Sequence, residues 1–197
     1  MSSSRKVIEL FYDVVSPYSW LAFEVLCRYR NVWNIELKFH PAFLGGVMQG
    51  SGNRPPAMVP NKGSLAAMRF ITAVVENAKD GDRLVENVSR EVWKRIWSTD
   101  QDICEPSSLS EAGLKAGLSS SEVEELIRQA KSQPVKDKLK QTTQEALDYK
   151  AFGFPLIICH VDGKPEVFFG SDRFELMAYC IGEKWLGPQP DKLTSYL

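Results

Sequence analysis

The start of the chain joins a buried strand to a helix through a turn that carries Ser16 and Pro17. Residues 7–11 are mainly apolar and predict the strand, and residues 21–33 keep the apolar spacing of a helix. Serine is a favoured N-cap, and proline suits the first helical turn, where its missing N–H is not needed. The exposed N–H groups of such a turn favour an anion, so it could hold a thiolate, a carboxylate or a phosphate.

A second unusual position lies far along the chain, where Phe154 and Pro155 lead into the apolar run 156–159. Proline cannot donate to a strand ladder, so it belongs at the first strand position. A cis peptide between Phe154 and Pro155 would suit a tight turn there, and we predict one.

The order of elements predicts an α/β, thioredoxin-like fold with an all-helical insertion. Residues 35–40 read as a strand, 44–61 as a loop rich in glycine and proline, and 64–149 as helices. Capping boxes are predicted at residues 108–111 and 119–122. A hairpin at Asp162-Gly163 and a helix over 173–185, capped by Ser171 and Asp172, complete the pattern. The predicted thioredoxin-like domain comprises 1–62 and 151–197, and the insertion 63–150.

The composition of the chain argues against several classes of function. The 24 basic and 25 acidic residues nearly balance, so nucleic-acid binding is not expected. No apolar run approaches the ~20 residues of a membrane helix, so membrane insertion is not expected. The four cysteines show no C-x-x-C spacing and favour a reducing compartment. His40 and His160 stand apart in sequence, so no metal site is expected.

Five motifs, taken in order, closely resemble those of kappa-class glutathione transferases. They are Phe11-Tyr12-Asp13-x-x-Ser16-Pro17-Tyr18-Ser19, Gly52-Asn53-x-Pro55-Pro56, Ala67-Met68-Arg69, Phe152-Gly153-x-Pro155 and Phe169-Gly170-Ser171-Asp172. The resemblance extends over residues 7–187. That family shares its fold with periplasmic disulfide oxidoreductases and with 2-hydroxychromene-2-carboxylate isomerases.

The resemblance implies a glutathione transferase that conjugates the thiolate of glutathione to small electrophiles, with glutathione as co-substrate and peroxide reduction as a side activity. Ser16 would be catalytic and would donate its hydroxyl hydrogen to the glutathione sulfur. Phe154 would pair through its backbone with the cysteinyl unit, Ser171 and Asp172 would receive the γ-glutamyl end, and Asn53 the glycyl end. The implied glutathione-binding residues are Ser16, Pro17, Tyr18, Asn53, Lys62, Phe154, Pro155, Ser171 and Asp172. A homodimer is also implied.

The chain departs from the family pattern after Lys62, where members usually carry a further stretch of roughly thirty residues that connection-length priors alone would not reveal. The missing stretch leaves open a truncated, non-catalytic glutathione-binding form. A glutathione-dependent isomerase of the 2-hydroxychromene-2-carboxylate type also stays open, because it would use the same serine and the same cofactor on the same scaffold. A dithiol oxidoreductase is disfavoured, because Ser16 and Ser19 occupy both cysteine positions. The resemblance implies the mitochondrial matrix or the peroxisome, and the terminal Ser195-Tyr196-Leu197 matches a peroxisomal signal only at its two ends.

Overall fold

A computed structural model describes residues 5–54, 63–77 and 82–190. Its four-stranded sheet has the order β2-β1-β3-β4, with strands β1 Lys6–Tyr12, β2 Ile35–Pro41, β3 Leu156–Val161 and β4 Lys164–Phe169. Strand β2 is parallel to β1, β3 is antiparallel to β1, and β4 is antiparallel to β3. The predicted hairpin is confirmed, since Asp162 and Gly163 both have positive φ, at 50° and 78°.

Eight helices lie within the described residues. They are α1 Pro17–Tyr29, α2 Leu44–Ser51, α3 Leu65–Asn77, α4 Asp82–Trp97, α5 Pro106–Lys115, α6 Ser120–Ala130, α7 Gln133–Asp148 and α8 Phe174–Ile181. Helices α3 to α7 follow one another between α2 and β3, which agrees with the helical pattern predicted for 64–149.

The side chains of β1 alternate between the two faces of the sheet, and one face is fully buried. Ile8, Leu10 and Tyr12 on that face are all inaccessible to solvent. The Tyr12 ring packs on Trp93 of α4, with 5.3 Å between centroids, and its hydroxyl bonds to Ser89 Oγ at 2.7 Å. This aromatic core fixes the end of β1, where the chain turns toward Ser16.

The prediction of a loop over 44–61 is wrong for its first part, because α2 occupies Leu44–Ser51. The glycines that suggested a loop serve close packing against α7 instead. A Cβ on Gly50 would lie 2.7 Å from Leu147 Cδ1, and one on Gly46 would lie 3.0 Å from Thr143 Cγ2. Helical periodicity cannot reveal a helix that needs glycine at its contact face, so the composition misled the sequence interpretation.

Two predicted helices are shorter in the structure. Helix α1 ends at Tyr29 instead of residue 33, because Trp33 turns away, stacks on Tyr29 and donates its indole N–H to Lys184 O at 3.0 Å. Helix α8 ends at Ile181 instead of residue 185, where Gly182 takes the left-handed conformation with φ 70°.

Two of the four predicted caps are also wrong. Arg173 precedes α8 with no side-chain cap bond, so neither Ser171 nor Asp172 caps that helix. Ser108 lies inside α5 and binds Arg95 Nε, so the predicted box at 108–111 does not form. The box formed by Ser119 and Glu122 is confirmed at the start of α6.

Candidate functional site

The hydroxyl of Ser16 joins the start of α1 to the turn before β3. Ser16 is the N-cap of α1, and its Oγ accepts a hydrogen bond from the Ser19 backbone N–H at 3.1 Å. The same hydroxyl donates to the Phe154 carbonyl at 3.2 Å. The peptide between Phe154 and Pro155 is cis, which confirms the prediction. Two motifs that lie far apart in sequence therefore meet at one hydroxyl group beside a helix N-terminus.

The aromatic core holds the backbone of Ser16 in place. Trp93 donates its indole N–H to the Ser16 carbonyl at 3.3 Å, and its ring is fully buried. Trp20 stacks on it with parallel rings 6.3 Å apart. Trp93 is thus a core residue that also fixes the position of the serine.

A buried carboxylate, which the sequence interpretation did not single out, holds the turn that carries Ser16. Asp13 is fully buried, and its Oδ1 accepts from the Val15 N–H at 2.9 Å. Its Oδ2 accepts from the Leu44 N–H and from the Ser64 hydroxyl, both at 2.8 Å. Desolvation by burial raises the pKa of Asp13 to about 6, although these three bonds act against that rise.

The bonds of Asp13 tie three separate segments together. Leu44 is the first residue of α2, so the carboxylate satisfies one of the N–H groups that a helix start leaves unpaired. Ser64 directly precedes α3, and Val15 directly precedes the serine. Asp13 therefore anchors the turn that carries Ser16 to the starts of α2 and α3. Only its place within the first motif pointed to it.

Asn53, which lies just after α2, contacts the turn before β3. Its side-chain amide donates to the Phe152 carbonyl at 2.6 Å, two residues before Phe154. Tyr18 lies in the first turn of α1 with 61% of its surface exposed. Lys62, which the resemblance places among the glutathione contacts, lies outside the described residues, as do Pro55 and Pro56.

Ser171 and Asp172 also reach this region, although they cap no helix. The Gly170 N–H bonds to the Pro155 carbonyl at 3.0 Å, so their loop is attached to the cis-proline turn. Both residues line a cavity of about 230 Å³, together with Phe174, Trp185 and Val25. Gly170 has φ +98°, and a Cβ there would lie 2.9 Å from Asp172 Oδ1, so the loop needs glycine at this position.

Ser19, the other serine of the first motif, differs from Ser16 in its surroundings. Ser19 is fully buried, and among the described residues its Oγ has no hydrogen-bond partner. Neither the half-buried Cys27 nor the buried Cys159 is a candidate for a nucleophile, since desolvation raises the pKa of each thiol to about 12.

The two histidines meet on one carboxylate, which their positions in sequence do not show. Glu9 of β1 lies between His40 on β2 and His160 on β3, and His40 Nε2 is 2.8 Å from Glu9 Oε2. Burial lowers the pKa of His40, and Glu9 opposes that effect. Among the described residues no group of three or more histidine, cysteine or acidic side chains could hold a metal ion.

Comparisons with known proteins agree with this architecture. The sequence model of the DsbA-like thioredoxin domain matches residues 7–182, so the chain is a protein of that class, and the predicted fold is confirmed. The structure of the cytosolic disulfide reductase DsbM from Pseudomonas aeruginosa with GSH superposes with a TM-score of 0.62 at 16% identity, over 94% of each chain. At that identity the likeness concerns the fold alone.

Two curated relatives narrow the class to a family. The chain is 45% identical to glutathione S-transferase kappa 1 of Rattus norvegicus and 42% identical to that of Homo sapiens. Each comparison spans 229 residues and covers 100% of both proteins. The chain therefore belongs to the kappa-class glutathione S-transferases. Because it has 197 residues, each alignment contains positions with no counterpart here.

Among the helices in the described part of the chain, none is both long enough and apolar enough to cross a membrane.

Proposed function

We propose that this protein conjugates the thiolate of glutathione to small electrophiles. One observation carries the proposal: the Ser16 hydroxyl stands at the N-terminus of α1 and touches the carbonyl of the residue before the cis proline. A donor and a helix start aimed at one point favour an anion there. Both curated relatives are named transferases, which favours this function over isomerisation on the same scaffold.

The role of Ser16 is to stabilise the glutathione sulfur as a thiolate. A free thiol titrates near pH ~8.5, and a hydrogen-bond donor at a helix start lowers that pKa. The single hydroxyl hydrogen of Ser16 points to the Phe154 carbonyl. When glutathione binds, the hydroxyl turns toward the sulfur, and the serine itself forms no covalent bond. Reduction of a peroxide by the same thiolate is a proposed side activity.

The remaining contacts with glutathione follow the course of the tripeptide. The backbone of Phe154, beside Pro155, would pair with the cysteinyl unit as an added strand does. Ser171 and Asp172 would receive the γ-glutamyl end at the smaller cavity, where the Asp172 carboxylate suits its ammonium group. Pro17 and Tyr18 would line the sulfur side in the first turn of α1, and Asn53 would reach the glycyl end. Lys62 is proposed for that end from the family pattern alone.

Two exposed aromatic rings supply a surface for the electrophile. Phe152 and Phe169 pack with 4.3 Å between their centroids, and they expose 47% and 38% of their surfaces. A Cβ on Gly153 would lie 3.2 Å from the Phe169 ring, which places that ring against the turn that Ser16 contacts. An aromatic electrophile could stack there.

The test pairs two measurements on one preparation. Calorimetry should show glutathione binding, because Ser16, Phe154 and the 171–172 loop all lie in parts of the chain that the sequence keeps intact. Steady-state conjugation of 1-chloro-2,4-dinitrobenzene should be at least about tenfold slower than in full-length relatives, because walls that position the electrophile and exclude water are reduced by the shortening predicted after residue 62. Absence of glutathione binding would contradict the proposed function, and conjugation at the relatives' rate would contradict the effect of the shortening.

A homodimer in the mitochondrial matrix or the peroxisome is the proposed state of the protein. Support for a dimer comes from exposed apolar side chains such as Leu176 and Tyr179 on α8, the latter 83% exposed. The terminal tripeptide at 195–197 lies outside the described residues. Sedimentation and a fluorescent fusion that leaves the C-terminus free would test the two statements.

A further inference from the structure

A cavity larger than the one beside Ser171 lies between helices α2, α3 and α7. Its volume is about 490 Å³, within the ~300–1,000 Å³ that small-molecule sites occupy. None of the described glutathione-site residues contributes to its lining. The cavity is thus a separate feature of the molecule, which the proposed conjugation does not use.

Arg69 of α3 lines this cavity with a buried and unsatisfied donor. Its Nε atom is inaccessible to solvent and has no hydrogen-bond partner in the described part of the chain. No ion pair among the described residues involves its guanidinium group. A guanidinium group without an acceptor inside a protein is destabilising. Because Nε itself is inaccessible, an acceptor in the cavity would meet the guanidinium through its terminal nitrogens.

Among the charged side chains of the described lining, positive charge predominates. Lys136 and Lys140 of α7 stand on the same cavity, and neither takes part in an ion pair among the described residues. The one carboxylate of the lining, Asp137, already accepts a hydrogen bond from Gln133 Nε2 at 2.8 Å. Three cations therefore face one carboxylate that has a neutral partner.

The remaining lining of the cavity combines apolar and neutral polar side chains. Its apolar side chains are Phe43 from the turn before α2, Leu65 of α3, and Leu139 and Leu147 of α7, and its neutral polar ones are Gln49, Gln133, Thr143 and Gln144. An apolar wall beside an unpaired guanidinium suits a molecule that has one anionic end and an apolar body.

We infer that this cavity binds a small amphipathic organic anion, with a carboxylate on Arg69 and the apolar body against the four apolar side chains. The two lysines attract the same charge from the rim. The site is independent of glutathione, so the ligand and glutathione bind together.

Calorimetric titration of the full chain with octanoate tests the inference. Octanoate should bind, and octan-1-ol, which has the same chain without the charge, should bind at least about tenfold more weakly. Saturating glutathione should leave the octanoate affinity unchanged. No octanoate binding, equal affinity for the alcohol, or displacement by glutathione would each overturn the inference.

A pair of matched variants locates the site. Arg69→Gln should weaken octanoate binding by at least about tenfold. Arg83→Gln removes an exposed arginine of α4 that does not line the cavity, and it should leave the affinity unchanged. If Arg69→Gln does not fold, Lys140→Glu alters an exposed residue of the lining and should weaken binding by about threefold. If the wild type and the cavity variant that folds bind octanoate with equal affinity, the assignment of the octanoate site to this cavity is refuted.

Discussion

Replacing Ser16 by alanine is expected to slow conjugation by about 10²-fold, the usual loss for one preorganised donor to an anion. The pKa of bound glutathione should rise, because the hydroxyl that touches the Phe154 carbonyl is the group that turns to the sulfur. Glutathione affinity should change little, since the backbone pairing and the γ-glutamyl contacts remain. Ultraviolet titration of the thiolate in the complex measures the pKa directly.

Ser19→Ala is the matched control, because it removes a hydroxyl from the same helical turn. Its Oγ has no hydrogen-bond partner among the described residues, so both the rate and the pKa of bound glutathione should stay at the wild-type values. The alanine at position 16 also removes a helix cap worth about 1 kcal/mol, so a melting curve should accompany the kinetics. Full activity and an unchanged thiol pKa in Ser16→Ala would refute the role of the hydroxyl.

Asp13→Asn is expected to remove a pH dependence of stability that the wild type shows between about pH 4 and pH 6. The folded pKa of Asp13 is about 6, above its ordinary value of 3.8. The folded state therefore holds this proton more tightly than the unfolded chain does. The resulting stabilisation is complete below pH 3.8 and is lost as the pH rises through 6. The loss amounts to about 3 kcal/mol, because each pKa unit corresponds to about 1.4 kcal/mol.

Urea unfolding of both proteins at pH 4 and at pH 7 checks this expectation. The free energy of unfolding of the wild type, taken relative to Asp13→Asn, should fall by about 2.5 kcal/mol between the two values, slightly less than the full effect because Asp13 of the unfolded chain is already partly ionised at pH 4. Asp148→Asn changes the charge of an exposed residue at the end of α7 and is the control, with no comparable change. If the free energies of unfolding of the wild type and of Asp13→Asn differ by the same amount at both pH values, the raised pKa of Asp13 is contradicted.

The sequence predicted the parts of this structure that follow local rules. A serine and a proline after a buried strand are enough to place a helix N-terminus, and a proline before an apolar run is enough to suggest the cis turn. The resemblance then placed Ser16 beside Phe154, and the structure joins them through one hydrogen bond. No spacing rule could have shown this contact, because it depends on how β1 and β3 pair.

The features that the sequence missed depend on tertiary contacts. Helix α2 starts with a backbone N–H bound by Asp13, a residue of another segment, and its glycines fit α7. Arg69 belongs to a motif of the resemblance, but only the structure shows that its Nε has no acceptor among the described residues. Ser171 and Asp172 matched a capping signal, but α8 begins later and leaves both side chains beside the smaller cavity.

The most direct test of the proposed function is a crystal structure of the protein with glutathione. We expect the sulfur within about 3.5 Å of Ser16 Oγ, the cysteinyl backbone paired with Phe154, and the γ-glutamyl ammonium at Asp172. Glutathione bound with its sulfur away from Ser16, or seated in the cavity that Arg69 lines, would contradict the account.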